Sequence, residues 1–293
     1  MKIVIAGGTG FVGKALTKRL IEKGHEVIIL TRKKSQIGGN PAYLQWLNER
    51  KTPTIQDLDV MINLAGESLS SGRWTTERKE RILSSRMEAT EAVLDLMKKS
   101  PPKTFINASA IGYYGTSLTD KFTEENETAG TDFLATTVKK WEEIALKSTT
   151  RTVLCRYGII LDKTEGALPR IVLPYKLFAG GTVGSGKQWT SWIHIQDVVE
   201  ATLFLIEHEE IAGPVNFTAP NPVSMKELGQ AIGKAMKRPH WMPAPTFALR
   251  IALGEMSLLV LEGQRVLPEK LQQAGFQFLF EKVEEALVNI YQA

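Results

Sequence analysis

The chain has 293 residues, enough for one α/β domain with a smaller lobe or for two domains. Its composition, 43% hydrophobic and 23% charged, is that of an ordinary globular protein, and its single cysteine excludes an internal disulfide. The net charge is +4, but acidic residues lie among the basic ones. We see no stripe of basic residues with aromatic side chains in the sequence, so we expect no nucleic-acid partner.

Short strand-like and helix-like segments alternate along residues 1–160. We predict strands at 2–6, 26–30, 43–46, 59–63, 104–109 and 152–157, and helices at 11–23, 76–99 and 131–147. In the second helix, one face at helical spacing carries Leu83, Met87, Thr90, Leu94 and Met97. This alternation predicts an α/β fold, a Rossmann doubly wound parallel sheet with right-handed crossovers.

The remaining residues, 161–293, predict a smaller, mostly helical lobe on the substrate side, with part of 190–218 returning to the Rossmann sheet. A glycine-rich loop is followed by a helix at about 198–207, for which Asp197 is the expected N-cap. Another helix begins at Ser224, with Glu227 at capping-box spacing. Further helices are predicted at 246–261, 268–274 and 281–291, and Gly275 ends one of them.

Two features indicate a cytoplasmic protein without a membrane span. Residues 1–6 lead directly into a glycine turn and lack the apolar core of a secretion signal. The apolar stretch 247–261 is interrupted by Arg250 and Glu255, and it is too short and too charged to cross a bilayer. Cys155 fits a reducing compartment, and its apolar neighbours predict a buried, inert thiol.

A glycine-rich turn between the first strand and the first helix predicts a dinucleotide site. The residues expected to bind the cofactor there are Gly7, Thr9, Gly10, Phe11, Val12 and Gly13. Glycine permits the tight turn and lets the backbone approach a pyrophosphate, while the helix N-terminus offers unpaired N–H groups. A plain tight turn without a ligand is the alternative, and the strand before and helix after the turn favour the nucleotide.

The end of the second strand favours NADP over NAD. An NAD site usually has Asp or Glu about 20 residues past the turn, whereas this chain has Arg32 in a basic run. A charge-assisted bond of about 1.5–3 kcal/mol from Arg32 to a 2′-phosphate would favour NADP roughly tenfold to a hundredfold. A solvated basic loop is the alternative. After the fourth strand, Leu64, Ala65 and Gly66 would let the cofactor cross the strand ends.

Together, these motifs resemble the extended short-chain dehydrogenase/reductase superfamily, in its NAD-dependent epimerase/dehydratase type. The matching segments are 7–13, 63–67, 84–86, 108–110, 156–158 and 192–197, and 253–276 is similar to the C-terminal region of an epimerase-like branch without an established substrate. The resemblance implies that Arg86 faces the cofactor phosphates, with a surface salt bridge as the alternative, and that Ile159 lines the cofactor site. It also implies a small-molecule substrate, such as a nucleotide sugar or a carbonyl compound, and leaves the oligomeric state open, a homodimer included.

In this superfamily a Tyr-x-x-x-Lys pair and a serine carry the acid/base chemistry. Ser109 matches the serine, but no tyrosine of this chain has a lysine four residues later. Tyr113 or Tyr114 would stand in as the acid; packing over the nicotinamide end is the alternative, because an unassisted tyrosine has a pKa of about 10.

Several other residues have structural and functional interpretations. His194 would fix a loop by hydrogen bonding, with a catalytic role as the alternative. The remaining histidines lack ligand spacing, so we expect no metal. Arg156 would bind a substrate anion or a carboxylate such as that of Glu67, and the loop 180–192 would clamp a ligand or act as a mobile lid. Two functions remain: an NADP(H)-dependent oxidoreductase or epimerase acting on a small polar substrate, or an NADP(H)-binding regulatory protein without turnover.

Overall fold

The computed structural model describes residues 1–47, 54–69 and 72–292. Within these residues the strands are β1 (Lys2–Ala6), β2 (Glu26–Thr31), β3 (Ala42–Gln45), β4 (Val60–Asn63), β5 (Thr104–Ala110), β6 (Lys121–Phe122), β7 (Arg151–Tyr157), β8 (Ile159–Leu161), β9 (Trp189–Thr190), β10 (Trp192–His194), β11 (Gly213–Phe217), β12 (Val223–Ser224) and β13 (Arg265–Val266). The α-helices are α1 (Phe11–Glu22), α2 (Thr76–Lys99), α3 (Phe133–Ala145), α4 (Leu168–Ile171), α5 (Leu173–Lys176), α6 (Ile195–Glu207), α7 (Met225–Met236), α8 (Thr246–Leu253), α9 (Leu258–Leu261), α10 (Glu269–Gln273) and α11 (Val283–Gln292). Two 3₁₀ helices lie at Ile111–Tyr114 and Gly254–Ser257.

Seven strands form one parallel sheet in the order β11-β7-β5-β4-β1-β2-β3. From β1 the chain moves to one edge through β2 and β3, and from β4 it moves to the other edge through β5, β7 and β11. The order therefore reverses between β1 and β4, which is the switch point where doubly wound sheets bind ligands at the carboxyl ends of their strands. The predicted Rossmann fold is confirmed.

Both faces of the sheet are covered by helices. Ile3 and Ile5 of β1 pack with α1 and α6, whereas Val4 of the same strand packs with α2. All three side chains are fully buried. A strand buried on both faces needs apolar residues in succession rather than in alternation, which explains the continuous apolar run of β1.

A second apolar cluster belongs to the lobe that follows the sheet strands. It joins α5, α7 and α11 through Tyr175, Leu228 and Leu287, and Trp192 of β10 lies within it. By contrast, β11 is an edge strand of the sheet, and α6 packs against a face of the sheet. The exact boundary near residue 160 stays a prediction.

The predicted start of α6 was wrong. The helix begins at Ile195, and its N-cap is His194, whose Nδ1 accepts a hydrogen bond from the Gln196 N–H at 3.2 Å. Asp197 lies inside the first turn instead, where its carboxylate accepts hydrogen bonds from the N–H groups of Leu279 (2.7 Å) and Phe280 (3.2 Å). Asp197 is thus used to hold a distant loop, a partner that local spacing cannot reveal.

One further helix prediction needed correction. The helix predicted at 246–261 is interrupted after Leu253, because Gly254 adopts φ +59°, a left-handed conformation that ends the helix.

The predicted face of α2 is buried in part. Thr90 and Met97 are buried, whereas Leu83, Met87 and Leu94 are half-buried. Ile82 and Val93, which lie beside this face, are fully buried, because α2 packs against both the sheet and α3.

Other local predictions were confirmed. Ser224 caps α7 and forms a capping box with Glu227, and Gly275 has φ +85° after α10. Cys155 is fully buried, and burial raises the pKa of its thiol, which suppresses the reactive thiolate. Among the residues described, none of the helices combines the length and the apolar character needed to cross a membrane.

Candidate functional site

The glycine-rich turn after β1 has no room for side chains. The Gly10 N–H donates to the carbonyl of Gly7 at 2.9 Å, and Gly7 has φ +79°. A Cβ atom at Gly7 would lie 2.7 Å from the carbonyl carbon of Leu64, and one at Gly13 would overlap the carbonyl oxygen of Gly7. Gly7 and Gly13 are therefore required by sterics alone, and they bring α1 close against the end of β1.

The amino end of α1 is open for an anion. The N-cap of α1 is Gly10, a residue without a side chain that could cap the helix. The first N–H groups of a helix lack intrahelical partners and carry partial positive charge. Thr9 and Gly10 are exposed, and Phe11 and Val12 are half-exposed, so this end of the helix faces the crevice.

The opposite wall of the crevice is the segment after β4. The Leu64 N–H donates to the carbonyl of Ala6 at 2.8 Å, so the segment leaves β4 along the end of β1. The buried amide of Asn63 fixes the strand end, since it donates to Thr90 Oγ1 (3.0 Å) and Asn107 Oδ1 (2.8 Å). Leu64 and Ala65 are half-buried, and Gly66 is exposed.

Arg86 lies behind this segment rather than in a surface salt bridge. Its guanidinium donates to the carbonyls of Ile82 (2.8 Å) and Glu67 (3.1 Å), and it lies 5.2 Å from the ring centre of Trp141. A Cβ atom at Gly66 would lie 3.2 Å from its side chain. Burial lowers the pKa of Arg86 to about 10, which leaves it a cation at neutral pH.

Arg32 and Ile159 flank the two sides of the same crevice. Arg32 follows the last residue of β2, whose pairing with β1 ends at Leu30 opposite Ala6, and its side chain is exposed. Ile159 begins β8 beyond the carboxyl end of β7, and its N–H donates to Ser191 O at 2.8 Å. The loop after β8 reaches α1, because a Cβ atom at Gly166 would lie 3.0 Å from the ring of Phe11.

The three candidate catalytic hydroxyls all donate to internal acceptors. Ser109 donates to Glu142 Oε1 at 2.5 Å, Tyr113 to the Glu127 carbonyl at 2.5 Å, and Tyr114 to Asn216 Oδ1 at 2.8 Å. Their residues are 3%, 9% and 4% exposed. Burial raises the pKa of Tyr114 to about 12, away from the value of a useful acid at neutral pH. These contacts favour the packing alternative, and the catalytic role stays a prediction.

Arg156 has a different partner from the carboxylate named in the sequence analysis. Its Nε and Nη2 atoms each lie 2.8 Å from an oxygen of Glu142, and both side chains are buried. Glu67 pairs with Arg78 instead. Sequence reasoning missed Glu142, although it lies on the apolar face of α3 with Val138 and Ala145, where a charged residue indicates a buried partner.

The loop 180–192 is tied down by hydrogen bonds. Gln188 is 1% exposed and donates to the carbonyls of Val183 and Val260, while the indole of Trp189 donates to Leu118 O at 2.9 Å. These contacts are those of a fixed wall rather than of a mobile lid. Within residues 1–47, 54–69 and 72–292, no group of three or more His, Cys, Asp or Glu side chains is arranged to hold a metal ion.

Two family models match the chain. Residues 3–138 match the NAD dependent epimerase/dehydratase family, and residues 244–290 match a domain of unknown function, DUF1731. Epimerase family protein YfhF of Bacillus subtilis (strain 168) is 48% identical over 298 residues, covering 99% of this chain and 98% of the relative.

Solved structures show the same architecture. Human epimerase family protein SDR39U1, crystallised with NADPH, superposes with a TM-score of 0.91 and 32% identity, covering 100% of this chain and 99% of the human chain. UDP-glucuronic acid 4-epimerase from Bacillus cereus, in complex with UDP-glucuronic acid and NAD, has a TM-score of 0.79 at 16% identity, covering 100% of this chain and 98% of that chain. The latter is a likeness of fold alone.

Proposed function

Because the chain belongs to the NAD-dependent epimerase/dehydratase family, as its motifs predicted, we propose that it binds NADP(H) across the carboxyl ends of β1, β2 and β4. The observation that carries this proposal is the side-chain-free cradle between Gly7, Gly13 and Leu64. The open N-terminus of α1 borders the cradle and would bind the pyrophosphate. The walls of the crevice, Leu64 to Gly66 and Ile159, would border the riboses and the nicotinamide.

Preference for NADP over NAD is the finer part of the proposal. The exposed guanidinium of Arg32 at the end of β2 would pair with the 2′-phosphate, where NAD sites usually have a carboxylate. Arg86 adds a second cation behind Gly66, on the phosphate side of the crevice. The human relative was crystallised with NADPH, which supports the same preference.

For the chemistry, we propose an epimerase-like oxidoreductase that acts on a small polar substrate, such as a nucleotide sugar or a carbonyl compound. The bound cofactor supplies hydride donor or acceptor chemistry. Ser109, Tyr113 and Tyr114 are the candidates for orienting the substrate oxygen and moving its proton. To donate its proton, each hydroxyl would first have to release its internal acceptor. For Tyr113 and Tyr114, this release requires local rearrangement of the 3₁₀ helix that follows β5.

The buried hydroxyls favour a second candidate function. A protein that holds NADP(H) without turnover needs the phosphate cradle but no accessible acid. In this alternative the C-terminal helices would report cofactor occupancy to a partner. The two functions share the cofactor site and differ in whether any substrate is converted.

Calorimetry with NADPH and NADH tests the cofactor site. We expect NADPH to bind more tightly, and Arg32→Ala to weaken NADPH binding about tenfold to a hundredfold while leaving NADH binding unchanged, since one charge-assisted bond is lost. Lys23→Ala, an exposed cation at the far end of α1, is the matched control. An unchanged NADPH-to-NADH affinity ratio in Arg32→Ala would refute the role of Arg32, and no binding of either nucleotide would refute the proposed site.

A turnover assay separates the two functions. NADPH oxidation and epimerisation are followed with a panel of carbonyl compounds and nucleotide sugars, for the natural protein and for Tyr113→Phe and Tyr114→Phe. Loss of activity in either variant supports the enzyme. Tyr114→Phe leaves a buried Asn216 oxygen without its donor, which should cost about 1–2 kcal/mol of unfolding free energy in urea whether or not the tyrosine is catalytic. NADPH binding without conversion of any compound supports the binding protein.

A further inference from the structure

The 3₁₀ helix Ile111–Tyr114 follows β5 at the carboxyl edge of the sheet. In a doubly wound sheet each half of a dinucleotide lies over one half of the strands. The Gly7 turn and Arg32 belong to the β1–β2 half, which would take the adenosine. The β4–β5 half would then take the nicotinamide, directly beside this 3₁₀ helix.

The buried guanidinium of Arg156 packs against two aromatic rings of the 3₁₀ helix. The guanidinium carbon of Arg156 lies 3.6 Å from the ring centre of Tyr113 and 4.9 Å from that of Tyr114. Arg156 is 3% exposed, so it cannot itself reach a ligand in the crevice. A desolvated cation against an aromatic face is a strong contact, and here it acts on two consecutive side chains of one short element.

The cation is itself held in a fixed orientation. The Nε and Nη2 atoms of Arg156 donate to the two carboxylate oxygens of Glu142 in α3, each at 2.8 Å. Ser109, at the end of β5, donates to the same carboxylate at 2.5 Å. A planar, two-point ion pair fixes direction as well as position, so the rings above the guanidinium are fixed with it.

We propose that Arg156 is a positioning residue for the nicotinamide half of the cofactor, acting through the rings of Tyr113 and Tyr114. This role rests on the proposed NADP(H) binding, and it assigns the two halves of the cofactor to different elements of the protein. The adenosine half depends on the Gly7 turn and Arg32. The nicotinamide half depends on the 3₁₀ helix, whose placement is set by Ser109 of β5, Glu142 of α3 and Arg156 of β7.

The test must remove the cation without leaving a buried charge. Replacing Arg156 alone would leave the buried carboxylate of Glu142 without its cation, which destabilises a protein strongly, whereas replacing both partners by apolar residues of similar volume is tolerated. The main variant is therefore Glu142→Leu/Arg156→Met. The matched control is Arg151→Met, which removes an arginine from the opposite end of the same strand, where Arg151 donates to Thr104 Oγ1 and Ile211 O.

The experiment compares two ligands by calorimetry: NADPH, and 2′,5′-ADP, which contains the adenosine half alone. In the double variant we expect NADPH binding to weaken about tenfold, the scale of one buried cation–aromatic contact, while 2′,5′-ADP binding stays within about twofold. Arg151→Met should lower the melting temperature and leave the affinity ratio of the two ligands unchanged. Arg156→Lys keeps the charge but not the planar fork, so its ratio should shift about threefold.

The outcomes distinguish failure of the positioning role of Arg156 from failure of the proposed cofactor site. If the folded double variant binds both ligands as the natural protein does, or weakens both equally, Arg156 has no positioning role. If the double variant does not fold, an unchanged ratio in Arg156→Lys overturns the proposal and a shifted ratio supports it. If the natural protein binds neither ligand, the proposed cofactor site fails, and this inference fails with it.

Discussion

At the scale of single residues, the glycines of the glycine-rich turn after β1 show how sterics alone can require one residue type. Gly7 needs a left-handed backbone and the close approach of Leu64. Gly13 has no such backbone requirement, and only the position of the turn above it forbids a Cβ atom. The two glycines are thus needed for different reasons, one conformational and one a matter of packing.

We predict that Gly13→Ala lowers the free energy of unfolding by about 1–3 kcal/mol, because the new methyl group would overlap the backbone of Gly7 and Gly8. The displaced turn should also lose NADPH binding. Urea unfolding and calorimetry measure the two effects. Gly39→Ala is the control, since its nearest neighbour would be the Pro41 carbonyl oxygen at 3.4 Å. Full NADPH affinity in Gly13→Ala would contradict the close packing described for the turn.

At the scale of elements, the start of α6 combines a cap, a buried histidine and a distant loop. His194 is 2% exposed, caps the helix with Nδ1, and packs on Phe280 with ring centres 4.2 Å apart. Burial lowers the pKa of His194 to about 4, against the opposing effect of Asp162. A neutral imidazole is therefore part of the folded structure of α6.

This histidine should make stability depend on pH in a defined window. Below a pH of about 6.5 the unfolded chain binds a proton at His194 that the folded chain does not bind until about pH 4. The contribution is thus fully present above the unfolded pKa and is lost as pH falls through the window. Asparagine is also a good N-cap, so His194→Asn keeps the cap and removes the titration.

We therefore expect the unfolding free energy of His194→Asn to fall less steeply between pH 6.5 and 4 than that of the natural protein, measured by urea unfolding at several pH values. Above about pH 7 the difference between the two proteins should be constant, which serves as the internal control. Parallel curves throughout the acid range would show that His194 does not titrate as described.

At the scale of the whole molecule, the segment 246–261 contacts both parts of the chain. It consists of α8, the 3₁₀ helix Gly254–Ser257 and α9, and no residue of α8 or α9 is buried. On one side, Gln188 of the loop 180–192 donates to Val260 O of α9. On the other side, Arg73, which precedes α2, donates to Ala252 O, and Lys79 of α2 pairs with Glu255.

Arg73 should therefore limit local opening of α8 while adding little to global stability. Its guanidinium donates to the carbonyls of Ile251 (3.3 Å) and Ala252 (3.1 Å) at the end of α8. In Arg73→Ala we expect amide exchange in α8 to quicken about two- to tenfold, with a change in unfolding free energy below roughly 0.5 kcal/mol.

Hydrogen exchange read by mass spectrometry, together with urea unfolding, measures both quantities for Arg73→Ala. The control is Lys98→Ala, which removes an exposed ion pair with Asp95 at the far end of α2. Unchanged exchange in α8, or a large loss of global stability, would show that Arg73 does not limit the local opening of α8.

Much of the fold could be predicted because its signals are local. The alternation of strands and helices, the glycine turn after β1 and the Ser224 capping box each depend on residues close together in the chain. The Asp197 cap failed for the opposite reason, since its carboxylate binds backbone groups of a loop about eighty residues away. The catalytic role of Ser109 stays a prediction, but local spacing could not reveal the acceptor of its hydroxyl, Glu142 of α3.

The sequence by itself determined the sheet, the phosphate turn and the absence of a Tyr-x-x-x-Lys pair, since periodicity, glycine sterics and residue spacing are properties of the chain. Only the tertiary structure decided which groups meet across the core: Arg156 with Glu142, Tyr114 with Asn216, and Arg73 with the end of α8. A buried polar group must find a partner, and folding, not spacing, selects which one lies within reach.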